Sequence, residues 1–243
     1  MTTTITVKDI NTVDYKYFNN NYFNTYLLSA LSSTFKEGEK FFMKSLTNYF
    51  HSQPEYKTRI ISFSKEENAH TAVHIQLNKI ISDLHNNDCL IRLEALTGKL
   101  LNFAYKLTNE DKLLITECLE HITYCLCKEA LDTKEFEKLT SDAKKVFLYH
   151  ATEETGISHS TIAGDLYETI NGSRLKRHII IYPTSFILLS IISYYIYCQY
   201  RSNNCTIQAS KSELLVDLYH GTKYLLQPKG WFVNSIAKIF KTW

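Results

Sequence analysis

Proline and glycine are scarce in this chain, with three and seven among 243 residues. An all-β protein needs far more chain reversals than so few turn formers can serve. The long stretches free of both residues point instead to an all-α architecture. An excess of charge of either sign is also missing. Lysine and arginine total 27 against 25 acidic residues, a formal charge of +2, which argues against nucleic acid as a partner. The six cysteines form no CxxC pair and no zinc-finger spacing, and Cys125 and Cys127 would point to different sides of a helix. Free thiols in a reducing compartment are expected. The opening stretch, MTTTITVKDINTVDYKYF, has no basic region followed by an apolar core, so a cytoplasmic location is the expectation.

Hydrophobic residues make up 44% of the chain and charged residues 21%, enough for a sizeable core and too few charges for disorder. Apolar periodicity predicts helices over 20–50, 57–86, 88–106, 110–131, 134–156, 159–171, 178–201, 207–226 and 229–241. Pro54, Asn86-Asn87-Asp88, Asn171-Gly172-Ser173 and Pro228 punctuate them. Thr108, followed by Glu110 and Asp111, places acidic residues at the positive end of the fourth helix. No repeat or long linker divides the chain, so residues 1–243 read as one helical domain, with 1–19 as a loosely ordered arm. Residues 178–200 carry no acid, lysine or arginine, and basic residues flank them. That length could span a bilayer or contact one. With Pro183 and several hydroxyls inside it, a buried central helix of a soluble bundle is the preferred reading.

Four predicted helices carry carboxylate or imidazole clusters. FKEGEKFF holds Glu37 and Glu39, and KEENAHTAVH holds Glu67, His70 and His74. ITECLEHIT holds Glu117, Glu120 and His121, and YHATEETGISH holds His150, Glu153, Glu154 and His159. Glu67 and His70 are three apart, and His150 and Glu154 four apart, so each pair can converge on one point of a helix face. Helical bundles build two-metal sites from single carboxylates and Glu-x-x-His pairs arranged this way. A mixed oxygen and nitrogen shell without thiolates suits iron, manganese or zinc. Glu66, Glu117 and Glu153 read as solvated neighbours. His51, His85, His178 and His220 read as ordinary surface or core histidines.

These four motifs, in order, resemble the predicted metal-dependent hydrolase family of ferritin-like or haem-oxygenase-like helical proteins. The resemblance runs from about Leu31 to the C-terminus. The family's Gly-Glu before aromatics is similar to FKEGEKFF and selects Glu39. Its Phe-x-x-x-Glu-x-x-His-x-x-x-His-x-x-x-Asn resembles FSKEENAHTAVHIQLN, with Glu67, His70, His74 and Asn78. Its Leu-Glu-His-x-Thr is similar to LEHIT and selects Glu120. Its last motif resembles HATEETGISH followed by DLY, with His150, Glu154, His159, Asp165 and Tyr167. The ligand order is also similar to that of the p-aminobenzoate N-oxygenase family of di-iron enzymes.

The resemblance implies a helical bundle enclosing two metal ions, iron before manganese or zinc. The implied ligands are Glu39, Glu67, His70, Glu120, His150, Glu154 and His159, with His74, His121 and Asp165 behind them. It further implies O₂-dependent oxidation of a small organic substrate, with electrons from an external donor because no flavin or nicotinamide fingerprint is present. The alternatives are metal-assisted hydrolysis and a non-catalytic metal-bearing protein at a membrane. One spacing departs from the family: Glu154 and His159 are five apart rather than three, as though Thr155-Gly156 were inserted. A regular helix would leave His159 roughly 140° off the face of Glu154. A π-bulge would bring it back, which is the expectation; a break at Gly156 would remove it.

Overall fold

A computed structural model describes residues 5–85, 88–156, 161–170, 172–201, 211–228 and 230–242. Among them are nine α-helices and no strand. These are α1 (Tyr22–Thr47), α2 (Lys57–His85), α3 (Cys89–Ala104), α4 (Asn109–Asp132), α5 (Ser141–Glu154), α6 (Ile162–Thr169), α7 (Arg174–Arg201), α8 (Lys211–Leu225) and α9 (Trp231–Thr242). Two helices act as hubs. α1 packs against α2, α3, α4, α7 and α8, and α4 packs against α5, α6, α7 and α9.

α1 can be central because its polar residues hide their polarity. Ser29, Ser33, Thr34 and Ser45 are buried, and each hydroxyl donates to a carbonyl three or four residues earlier in the same helix. This satisfies the hydroxyl inside the core, where an unpaired one would be costly. Asn21 caps the helix, its side chain accepting from the Asn24 N–H at 3.0 Å. Thr108 caps α4 in the same manner, at 3.1 Å from the Asp111 N–H.

The buried central helix was expected at 178–200, and α7 fills that role only in part. Ile181, Ile191, Ile192 and Tyr195 are buried, while Leu175, Ile179, Tyr182 and Phe186 form an exposed stripe at helical spacing. α7 is also long and apolar enough to cross a membrane by length and composition.

Two boundaries differ from the periodicity. The stretch expected as one helix over 134–156 is a 3₁₀ turn at Glu135–Lys138 followed by α5. Lys134 takes a left-handed φ of 57°, and the linker's backbone bonds to the N-terminal segment instead, Thr140 N–H to Tyr17 O at 2.9 Å and Asn19 N–H to Lys138 O at 3.2 Å. That same segment is no loose arm from residue 5 onward. Ile10, Tyr17 and Phe18 are fully buried, and the Asp142 carboxylate accepts from the backbone of Asn11 and Thr12. Five cysteines, Cys89, Cys118, Cys125, Cys127 and Cys198, are thiols rather than disulfides; Cys205 lies outside the described residues.

Candidate metal centre

Four helices bring carboxylates and imidazoles into one buried cluster: Glu39 from α1, Glu67, His70 and His74 from α2, Glu120 from α4, and His150 and Glu154 from α5. The i,i+3 and i,i+4 spacings act as the helix period dictates. Glu67 Oε2 lies 3.8 Å from His70 Nδ1, and Glu154 Oε1 lies 3.1 Å from His150 Nε2. The His70 and His150 rings stack across the α2–α5 gap with centroids 4.5 Å apart.

Two groups that could hold a metal ion result. Glu39, His70 and His150 each offer an atom within 4.8 Å of the others, and so do Glu67, His70 and Glu154. Because His70 belongs to both, the two groups adjoin. Glu120 approaches from α4, and its charge acts on Glu39 together with those of Glu67 and Glu154.

Burial pushes the Glu39 carboxyl well above the usual carboxylate range, and the negative neighbours Glu67, Glu154 and Glu120 push it further. Thr71 Oγ1 donates to Glu39 Oε2, while Oε1 accepts no hydrogen bond among the described residues and lies 4.0 Å from His150 Nδ1. Crowded buried carboxylates are unfavourable unless a cation compensates them. Carboxylate and imidazole donors without thiolate fit a pair of divalent transition metals.

The hydrogen bonds behind His150 favour one tautomer. The Ser32 hydroxyl donates to Asn78 Oδ1 at 2.6 Å, so the oxygen of Ser32 accepts from His74 Nδ1–H at 2.8 Å. His74 Nε2 is then bare and accepts from His150 Nδ1–H at 2.9 Å. In that tautomer the lone pair of His150 is on Nε2, 3.1 Å from Glu154 Oε1, which requires a proton on Glu154 or a cation between the two. Burial, then the neighbouring His150 and His70, hold His74 well below the usual imidazole pKa, consistent with a neutral ring. Asn78 continues the chain outward to Glu94 at 3.3 Å, and Lys36 pairs with Glu94 at 2.9 Å.

Two residues expected near the centre lie elsewhere. His121 is one residue round the helix from Glu120, and its Nε2 sits 3.2 Å from the Ile239 carbonyl of α9. Asp165 lies on α6, half-exposed, 2.9 Å from the guanidinium of Arg59. Glu117 was expected in solvent; it is buried and paired with Arg177 of α7. α5 ends at Glu154, followed by a turn in which Gly156 N–H bonds Glu153 O at 2.9 Å. His159 lies outside the described residues.

Sequence reasoning missed Ser32 and Phe35. Phe35 stacks on His150, centroids 4.5 Å apart. With Glu39 they occupy positions i, i+3 and i+7 of α1, one helix face, and that spacing could have found them. Beside Phe35 lies a cavity of about 340 Å³ that reaches His150 and Gly38.

No curated protein and no solved structure matches the sequence. A family model does, over residues 4–243, and its description is a predicted metal-dependent hydrolase. With ligand groups of the required kind at its core, the chain belongs to the family of predicted metal-dependent hydrolases.

Proposed function

We propose that this chain is an enzyme with a dinuclear metal centre that oxidises a small apolar molecule with O₂. The observation that carries the reading is a buried, carboxylate-rich cluster meeting an apolar cavity at His150. Glu39, Glu67, His70, Glu120, His150 and Glu154 are the proposed ligands. Two iron ions held there would supply O₂ activation, with electrons delivered by a separate donor protein. The chain's own part is to present that centre without water. His74 holds the His150 ring with Nε2 forward, and Thr71 holds one oxygen of Glu39. The Phe35 ring covers the face of His150.

A second reading, metal-assisted hydrolysis, is favoured by the family's description. Metal content and oxygen dependence separate the two. Protein expressed with iron and purified without chelator should hold about two irons per chain, and the reduced protein should consume O₂. Zinc or manganese at the same stoichiometry, with ester cleavage under anaerobic conditions, would replace oxidation by hydrolysis.

A further inference from the structure

The cavity at His150 has a largely apolar wall. Leucine and isoleucine side chains such as Leu31, Leu101, Leu119, Ile122 and Leu188 supply about half of it, from α1, α3, α4 and α7, and aromatic rings such as Phe42, Phe103 and Phe147 much of the rest. Three of the four threonines in the wall offer little grip to a polar ligand. The hydroxyls of Thr34, Thr97 and Thr123 donate to the carbonyls of Leu31, Leu93 and Leu119 within their own helices. A ligand carrying heteroatoms along its length would lose its hydrogen bonds to water here and regain few. A hydrocarbon chain loses none.

The cavity also has two distinct ends. At the inner end are buried His150 and Gly38, where a Cβ would meet only the Phe42 Cζ at 3.8 Å. At the outer end are Phe103, 68% exposed, and Ile187, 47% exposed. Its volume, about 340 Å³, falls at the lower end of the roughly 300–1,000 Å³ usual for ligand pockets. The space therefore leads from solvent to a proposed ligand of the metal centre between apolar walls.

We infer that the cavity is the substrate site and takes a linear aliphatic chain, its reacting end at His150 and its far end between Phe103 and Ile187. This rests on the metal centre being the reacting site, but chain binding can be measured without turnover.

The test uses the purified full-length protein and n-alkanols from hexanol to hexadecanol, titrated by calorimetry, with metal content measured on the same samples. Each added methylene should tighten binding about fourfold until the cavity is full, after which the gain stops. Gly38→Leu places a side chain in the inner end. It should shorten the limiting chain and weaken the longest one accepted by wild type by about tenfold or more, the loss of two or so methylenes. Ile187→Asp, at an exposed position that tolerates the change, should weaken long chains while sparing short ones. Affinity independent of chain length, alkylbenzenes bound more tightly than alkanols of equal carbon number, or a limit unmoved in both variants would overturn the inference. Metal-replete protein indifferent to chain length would sink the chain site alone. Chain-length-dependent binding by protein that takes up no metal would sink the metal reading alone.

Discussion

Nε2 of His74 lies 2.9 Å from Nδ1 of His150, and that contact decides which nitrogen of His150 faces Glu154. The orientation originates 42 residues before His74, at Ser32, whose hydroxyl proton is committed to Asn78. Removing the middle of this chain frees the His150 ring to turn or to change tautomer. His74→Leu should lower metal affinity by about 10–100-fold while leaving helical content intact. Competition against a chromogenic chelator, beside a far-ultraviolet dichroism spectrum, checks both parts; unchanged affinity would deny His74 any orienting role.

The four glutamates of the cluster make the metal-free protein strained in charge. Burial and negative neighbours raise the folded-state pKa of Glu39 above its ordinary 4.5. A raised carboxylate pKa contributes stability below 4.5 that is lost as pH rises toward the folded value. Glu39→Gln removes this loss, so the metal-free variant should melt higher than metal-free wild type at neutral pH. With metal added the order should reverse, because the variant has surrendered a ligand. Melting curves of both proteins, with and without metal, read this crossing.

His85 titrates for a different reason. Burial alone holds its imidazole down to about 4 from 6.5, between the rings of Tyr15 and Tyr26. A depressed histidine pKa contributes stability that is complete above 6.5 and is lost as pH falls through about 4. The full span is worth about 3 kcal/mol. His85→Phe, which keeps a ring against the two tyrosines, should flatten the urea-unfolding midpoint between pH 6.5 and 4.

Arg177 is the partner of buried Glu117 and also reaches Glu168 at 2.9 Å. Arg177→Met leaves a carboxylate in the core without its cation, a change that costs about 3 kcal/mol. Adding Glu117→Gln should recover part of that loss. Denaturant titration of the single and double variants measures the coupling, and equal losses in both would mean that the pair is not what Arg177 contributes.

Gly38 sits inside α1 with room for a methyl group, since an added Cβ would meet only Phe42 Cζ at 3.8 Å. A mid-helix glycine is worth about 1 kcal/mol less than alanine. Gly38→Ala should raise the melting temperature by about 2–4 °C. A fall instead would mean that the wall of the cavity cannot accommodate even one carbon.

The helices and the residues of the cluster were legible because both are local signals. Breakers such as Pro54 bound the helices, and Glu67→His70 and His150→Glu154 show their shared faces in their spacing alone. What depends on contacts between distant segments was hidden. Glu117 looks like a solvent-facing neighbour of Glu120 until Arg177, 60 residues on, is seen beside it. The non-helical start before α5 depends on hydrogen bonds from Tyr17 and Asn19. Hydropathy favours α7 as the central helix, but α1 takes that place because its serines and threonines satisfy themselves. The cavity could not be read at all, since it is the space left by side chains of several helices.

Glu67 and His70 have no surface open to water, and Glu39, Glu120, His150 and Glu154 have almost none. The cavity that reaches His150 is walled mainly by apolar side chains, so a hydrated ion entering there would shed water with little to replace it. A metal ion held by these residues would exchange chiefly when α2 or α5 parts from the bundle, at the rate of that opening. The residence time of such a metal would be a mechanical property of helix packing, separate from how tightly the residues around it hold it.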